Sequence, residues 1–200
     1  MNKNMDKNNF TPEESFVLIQ KHISNFKMNY KENAKIFLLW GWIMSLASLS
    51  HYVIIRDLII KEAYERIQLF SIGNWTVFVL IGFIIEYFMN RNKNKKVFSH
   101  LDSFSNILWK VTGASIPVTI FISIQLQVPP PPFFLLIMAT ATTITGLLIK
   151  FKPVIIGGIG FFIFAIASSF VQNENTILIM GVALICCYLV PGYFLKYAKE

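Results

Sequence analysis

Glu86 is the one acidic side chain inside a long apolar run of this chain. Burying its charge in hydrocarbon is costly, and proton-coupled carriers use such carboxylates, which makes Glu86 a candidate functional residue. The bland alternative is an ionised group at the membrane interface, paired with the basic cluster that begins at Arg91. Hydroxyls on later runs, at Thr142, Thr143 and Ser169, would line a solute path if that path used Glu86. Small residues on one helix face also mark where helices touch in lipid. The same positions belong to such stripes: Gly41, Ser45, Ser48 and Tyr52; Ala139, Thr142, Thr143 and Gly146; Gly158, Ala165 and Ser169.

Other chemistry is sparse. His22, His51 and His100 sit in three separate regions, and the sequence holds no HExxH, GxSxG, phosphate-binding loop or acid-rich metal motif. No catalytic, metal or cofactor-binding residue is assigned, and the chain is read as not an enzyme. Cys186 and Cys187 are neighbours in an apolar run, pointing about 100° apart on a helix, so they read as packing residues without a disulfide.

The elements that hold these groups are apolar runs at 34–55, 75–89, 105–126, 133–149, 154–171 and 176–195. Each approaches the ~20 residues a bilayer requires. The fold class is therefore all-α, a polytopic membrane bundle of six transmembrane helices. The run at 75–89 is short for a ~30 Å hydrocarbon core, so the second span should start earlier, near Leu69. Four prolines at 129–132 predict a stiff, extended connector before the fourth span, and Pro191 with Gly192 predict a kink in the sixth.

Most of the 18 basic residues fall on one side of these spans: Lys3 to Lys35, Arg91 to Lys96, Lys150 and Lys152, Lys196 and Lys199. Arg56, Lys61 and Arg66 fall on the other, neutralised by Asp57, Glu62 and Glu65. The positive-inside rule then puts both termini on the cytoplasmic side of the membrane. The net charge of +7 suits anionic inner-leaflet headgroups, with no motif for nucleic acid.

Before the first run lies a region, 1–33, without the apolar core of a cleavable signal peptide, so the first span should act as its own anchor. Thr11, Pro12 and Glu14 signal a helix start, and Phe16, Ile19, Ile23, Phe26 and Tyr30 then recur at spacings of 3, 4, 3 and 4. This is an N-terminal amphipathic helix, for the inner membrane surface, the ends of the spans, or a protein partner. Residues 1–33 are thus a tail and helix, and residues 34–200 the six-helix transmembrane domain. Further copies of the chain are another partner class.

TPEESFVLIQKHI, FLLWGW and HY within 11–52, KFKPVIIGGI at 150–159 and YLVPGYFLK at 188–196 together resemble a family of small multi-pass inner-membrane proteins of Bacteroidetes-type bacteria. The resemblance covers nearly the full length and implies a plasma-membrane location. It transfers no activity and no site residue, and Glu86 and the proline run lie outside the quoted pieces. The leading functional expectation is a non-enzymatic interaction or regulatory membrane subunit. The alternative is a small-solute carrier or channel using Glu86 and the hydroxyl faces of the fourth and fifth spans.

Overall fold

The computed structural model describes residues 12–91, 100–171 and 173–198, with side chains from 34 to 91 and from 103 onward. In chain order the elements are α1 (Pro12–Ile60), a 3-10 turn (Tyr64–Arg66), α2 (Ile67–Arg91), α3 (His100–Leu126), α4 (Pro131–Leu148), α5 (Lys152–Ser169), α6 (Asn175–Leu184), a π turn (Ile185–Leu189) and α7 (Val190–Tyr197). No strand occurs among the described residues. Six stretches are long and apolar enough to cross a membrane: Ala34–Ile60, Tyr64–Arg91, Ser103–Leu126, Pro131–Leu148, Lys152–Ser169 and Asn175–Tyr197. The fold is an all-α bundle of the multi-pass membrane kind.

The N-terminal helix and the first span are one continuous helix of 49 residues. No proline or glycine falls between Lys21 and Trp40 to break it, and the helix signal at Thr11–Pro12 starts the whole element. The side chains of the stripe Phe16, Ile19, Ile23, Phe26 and Tyr30 lie outside the described residues; their backbone is helical.

Charged residues 56–66 are divided between the end of α1, a reversal and a 3-10 turn. Asp57 and Ile60 end α1, the chain reverses at Lys61–Ala63, and α2 starts at Ile67, which gives the second span a length of about 37 Å at 1.5 Å per residue. Glu62, with φ 57°, makes the reversal. Its N–H bonds to the Ile59 carbonyl and that of Ala63 to the Leu58 carbonyl, satisfying acceptors at the helix end. Gln127 (φ 55°) and Lys150 (φ 53°) close α3 and α4 in the same way.

The expectation that all four prolines form an extended connector is corrected at its second half. Pro130 is already in the α region and caps α4, whose first residues are Pro131 and Pro132. First-turn residues have no intrahelical use for an N–H, and the fixed proline φ suits a helix start. In the last span the proline acts one turn ahead of itself. A proline ring collides with the carbonyl four residues back, here Cys187, and the helix widens to a π turn over Ile185–Leu189, closed by the Val190 N–H to the Ile185 carbonyl. In α5, Gly157 leaves the room into which the Cys187 carbonyl projects.

The core lies between α1, α4, α5 and the last span. Leu135, Ala139, Val154, Phe161, Ala183 and Leu184 are buried there. Tyr188 is buried with its ring stacked on Phe37 at 3.7 Å between centroids, and edge-on to Trp109 at 6.0 Å. α4 and α5 approach closely: a Cβ at Gly146 would lie 2.7 Å from the backbone nitrogen of Ile155, and one at Gly158 would lie 2.6 Å from that of Thr143. Helices α2 and α3 are peripheral and expose rows of large apolar side chains, such as Leu80, Phe83, Ile84, Phe121 and Ile124, as a lipid-facing surface does.

Candidate functional site

Polar side chains concentrate on the seam between α1 and α2. Ser71, Asn74, Trp75, Gly82 and Glu86 repeat at helical spacing along one side of α2, and that side meets Trp40, Ile43, Ala47, Ser50 and His51 of α1. The two helices run antiparallel from the Glu62 reversal, so each step back along α1 is a step forward along α2.

Glu86 sits at the deep end of the seam measured from that reversal. Trp40 Nε1 donates to its Oε2 at 2.9 Å. Gly82, one turn earlier, lets the Trp40 ring approach α2, since a Cβ there would come within 2.9 Å of the indole. Phe83 meets the same ring edge-on at 5.2 Å. Glu86 is half-buried, and its polar partner is this indole rather than Arg91, which is exposed at the end of α2. Trp40 therefore turns inward; Trp42 stays exposed and donates to Tyr193 Oη at 3.0 Å.

Nearer the reversal, Asn74 Nδ2 donates to the Ala47 carbonyl at 2.9 Å and Ser50 Oγ lies 2.8 Å from Asn74 Oδ1. Trp75 Nε1 donates to His51 Nδ1 at 3.2 Å, and His51 Nε2 lies 2.9 Å from Ser71 Oγ. The Ser71 hydroxyl donates to the Ile67 carbonyl at 2.7 Å, so its oxygen is free to accept. Every donor then meets an acceptor when the His51 proton is on Nε2, a tautomer assigned from this network. These bonds join two helices in a medium without water, where a lost partner is not replaced by solvent.

Thr142 and Thr143 belong to the α4–α5 side of the bundle. Thr142 is fully buried and Thr143 receives Gly158. Ser169 is exposed at the end of α5 and donates to the Ile166 carbonyl at 2.7 Å. The structure thus puts Thr142 and Thr143 together, Glu86 on the α1–α2 seam, and Ser169 at a helix end. Among the described residues, the buried hydroxyl oxygens of Ser45, Ser123, Thr142 and Thr143 have no hydrogen-bond partner. An open depression of about 630 Å3 lies at the Glu62 reversal, lined by Ile54, Leu58, Phe70 and charged residues, at the opposite end of the seam from Glu86. No cluster of three His, Cys, Asp or Glu able to hold a metal occurs among the described residues.

Sequence reading alone missed Ser71 and Asn74 as seam residues. Their signal was present in the spacing of Ser71, Asn74, Gly82 and Glu86. Compared with family models, curated proteins and solved structures, the chain matches none.

Proposed function

We propose that this chain is a non-enzymatic interaction or regulatory subunit of a bacterial plasma membrane, with both termini in the cytoplasm. The observation that carries the reading is the continuity of α1, which extends residues 12–33 as a helix from the end of a span. An amphipathic sequence on a helical extension is suited to holding another molecule at the membrane. The side of the membrane rests on the distribution of Lys and Arg, and the kind of membrane on the resemblance to small inner-membrane proteins of Bacteroidetes-type bacteria.

The polar groups of the seam favour this reading over catalysis, because His51 and Glu86 already hold structural partners. A small-solute carrier is the second reading, supported by the unpartnered hydroxyls of Thr142 and Thr143. Against it, the contact of Gly146 and Gly158 with the backbone of the facing helix leaves no passage at that place. A photo-crosslinking residue at position 19 or 23, in living cells, should trap one specific protein, and the same residue at Lys21 should not. Equal trapping at 19 and 21, or none at either 19 or 23, would remove the interaction reading.

A further inference from the structure

Glu62 precedes Arg66 by four residues, the order in which a carboxylate and a cation pair along a helix. Here they do not pair. Glu62 takes the left-handed conformation of the reversal, while Glu65 and Arg66 belong to the 3-10 turn after it, so no regular helix brings the pair together. Among the described residues, no hydrogen bond or ion pair engages the side chain of Glu62, Glu65 or Arg66. Their neighbours are satisfied: Lys61 bonds to Asp57 at 2.7 Å, and Arg56 donates to Tyr52 Oη at 3.3 Å.

All three free charges line the depression of about 630 Å3 at the reversal, with the self-neutralised Lys61–Asp57 pair beside them. That size lies within the range of small-ligand sites. Ile54, Leu58 and Phe70 complete the lining, so the depression offers charges of both signs and an apolar part.

Span length sets its depth in the membrane. Tyr64–Arg91 has 28 residues, about 42 Å at 1.5 Å per residue, against a hydrocarbon core of ~30 Å. With charges at both its ends, the excess of about 12 Å divides into roughly 6 Å at each, the thickness of one headgroup layer. Glu62, Glu65 and Arg66 therefore stand at headgroup level, and Phe70, about 9 Å along the axis from Tyr64, enters the hydrocarbon. Ile60, Tyr64 and Leu69 nearby are exposed apolar side chains, as fits a surface covered by lipid.

We propose that the depression holds the headgroup of a phospholipid with a primary ammonium, its phosphate on Arg66 and its ammonium on Glu62 and Glu65. The donors on each side fit this pairing. A guanidinium fork meets two phosphate oxygens, and an ammonium with three N–H groups serves two carboxylates at once. A quaternary ammonium has no N–H to give, and a headgroup without a cation would set its phosphate beside two unpaired carboxylates. The acyl chains then run past Phe70 into the hydrocarbon. The site goes beyond the interaction reading and stands independently of it, at the other end of α1 from residues 12–33.

The test offers the full chain, in a nonionic detergent, equal amounts of phosphatidylethanolamine, phosphatidylcholine and phosphatidylglycerol of one acyl composition, and reads retained lipid by native mass spectrometry. Phosphatidylethanolamine should be retained about tenfold over either of the others. Arg66→Gln should abolish that preference, as should Glu62→Gln combined with Glu65→Gln, while Arg56→Gln, outside the lining, should keep it. These side chains are all exposed, so the variants should unfold at the parent's midpoint. Glycerophosphoethanolamine, the same headgroup without acyl chains, should displace the lipid only at much higher concentration. Displacement at equal concentration would assign the site to a soluble ligand and overturn the proposal. Equal retention of the three lipids, a lead for either of the other two, or a preference that survives either set of substitutions overturns it as well.

Discussion

Trp40 Nε1 donates a hydrogen bond of 2.9 Å to the carboxylate of Glu86, joining residues 46 apart in sequence and the two helices of the first hairpin. The indole supplies a donor without a charge, so Glu86 is held at the seam although no basic side chain among the described residues is its partner there. Trp40→Phe keeps the ring against Gly82 and removes the donor. We expect the double cycle of Trp40→Phe and Glu86→Leu, read by unfolding in detergent, to give a coupling of about 0.6 kcal/mol and at most about 1.7 kcal/mol, the average and the upper end for hydrogen bonds between membrane helices. Additive effects of the two changes would show that the bond adds no stability.

Close backbone approach at α4–α5 makes a second expectation. Gly146→Val and Gly158→Val each put atoms where the facing backbone already is, and should destabilise the protein by about 1–3 kcal/mol. Gly113 and Gly73 have nothing within 4 Å of an added Cβ, so Gly113→Ala and Gly73→Ala should be neutral or stabilise by up to about 1 kcal/mol through helix propensity. Chemical-denaturation midpoints of the four variants in one detergent separate the two groups, and a Gly113→Ala loss as large as that of Gly146→Val would contradict the assignment.

Left-handed residues at three helix ends give a third. Gln127 pays a steric cost at φ 55° that glycine does not, while the bonds from its N–H to the Ile124 carbonyl and from Val128 to the Ser123 carbonyl need only the backbone. Gln127→Gly should therefore stabilise by about 0.5–1 kcal/mol, and Gln127→Ile should destabilise. The reverse order in thermal unfolding would rule this account out.

Orientation is open to chemical labelling. With Cys186 and Cys187 replaced, a cysteine at Gln127 should react with an impermeant maleimide on intact spheroplasts, and one at Lys150 should react only after permeabilisation. The opposite pattern would place the N-terminal helix outside the cell.

The six spans were legible because each is an apolar run bounded by polar residues, a signal that survives errors at its ends. The ends themselves were less so. Glu62 turns the chain in a backbone conformation that nothing about a glutamate announces, and Pro131 and Pro132 open a helix in a sequence that reads as extended. Among the candidate residues, Glu86 was visible as a charge in an apolar run, yet its partner was not, because a tryptophan near a helix end reads as an interfacial anchor until the opposite helix is in place. Thr142 and Thr143 were legible as a small-residue face, and the structure supplies what sequence spacing lacks, the identity of Gly158 as the residue that meets it.

The π turn at Ile185–Leu189 sets the last span's tolerance to changes of length. An ordinary helix that loses one residue rotates everything beyond by about 100°, which here would swing Gly192 and Leu195 off the bundle. A π turn already holds one residue more than an α turn needs, so deleting a residue between 185 and 189 can be absorbed by tightening that turn, leaving both halves aimed as before. The same deletion in α5, which has no such slack, would misalign Gly157 and Gly158 from the helices they fit. Length variation in this chain is thus far more readily accommodated at one internal stretch of its final span than in the helix beside it.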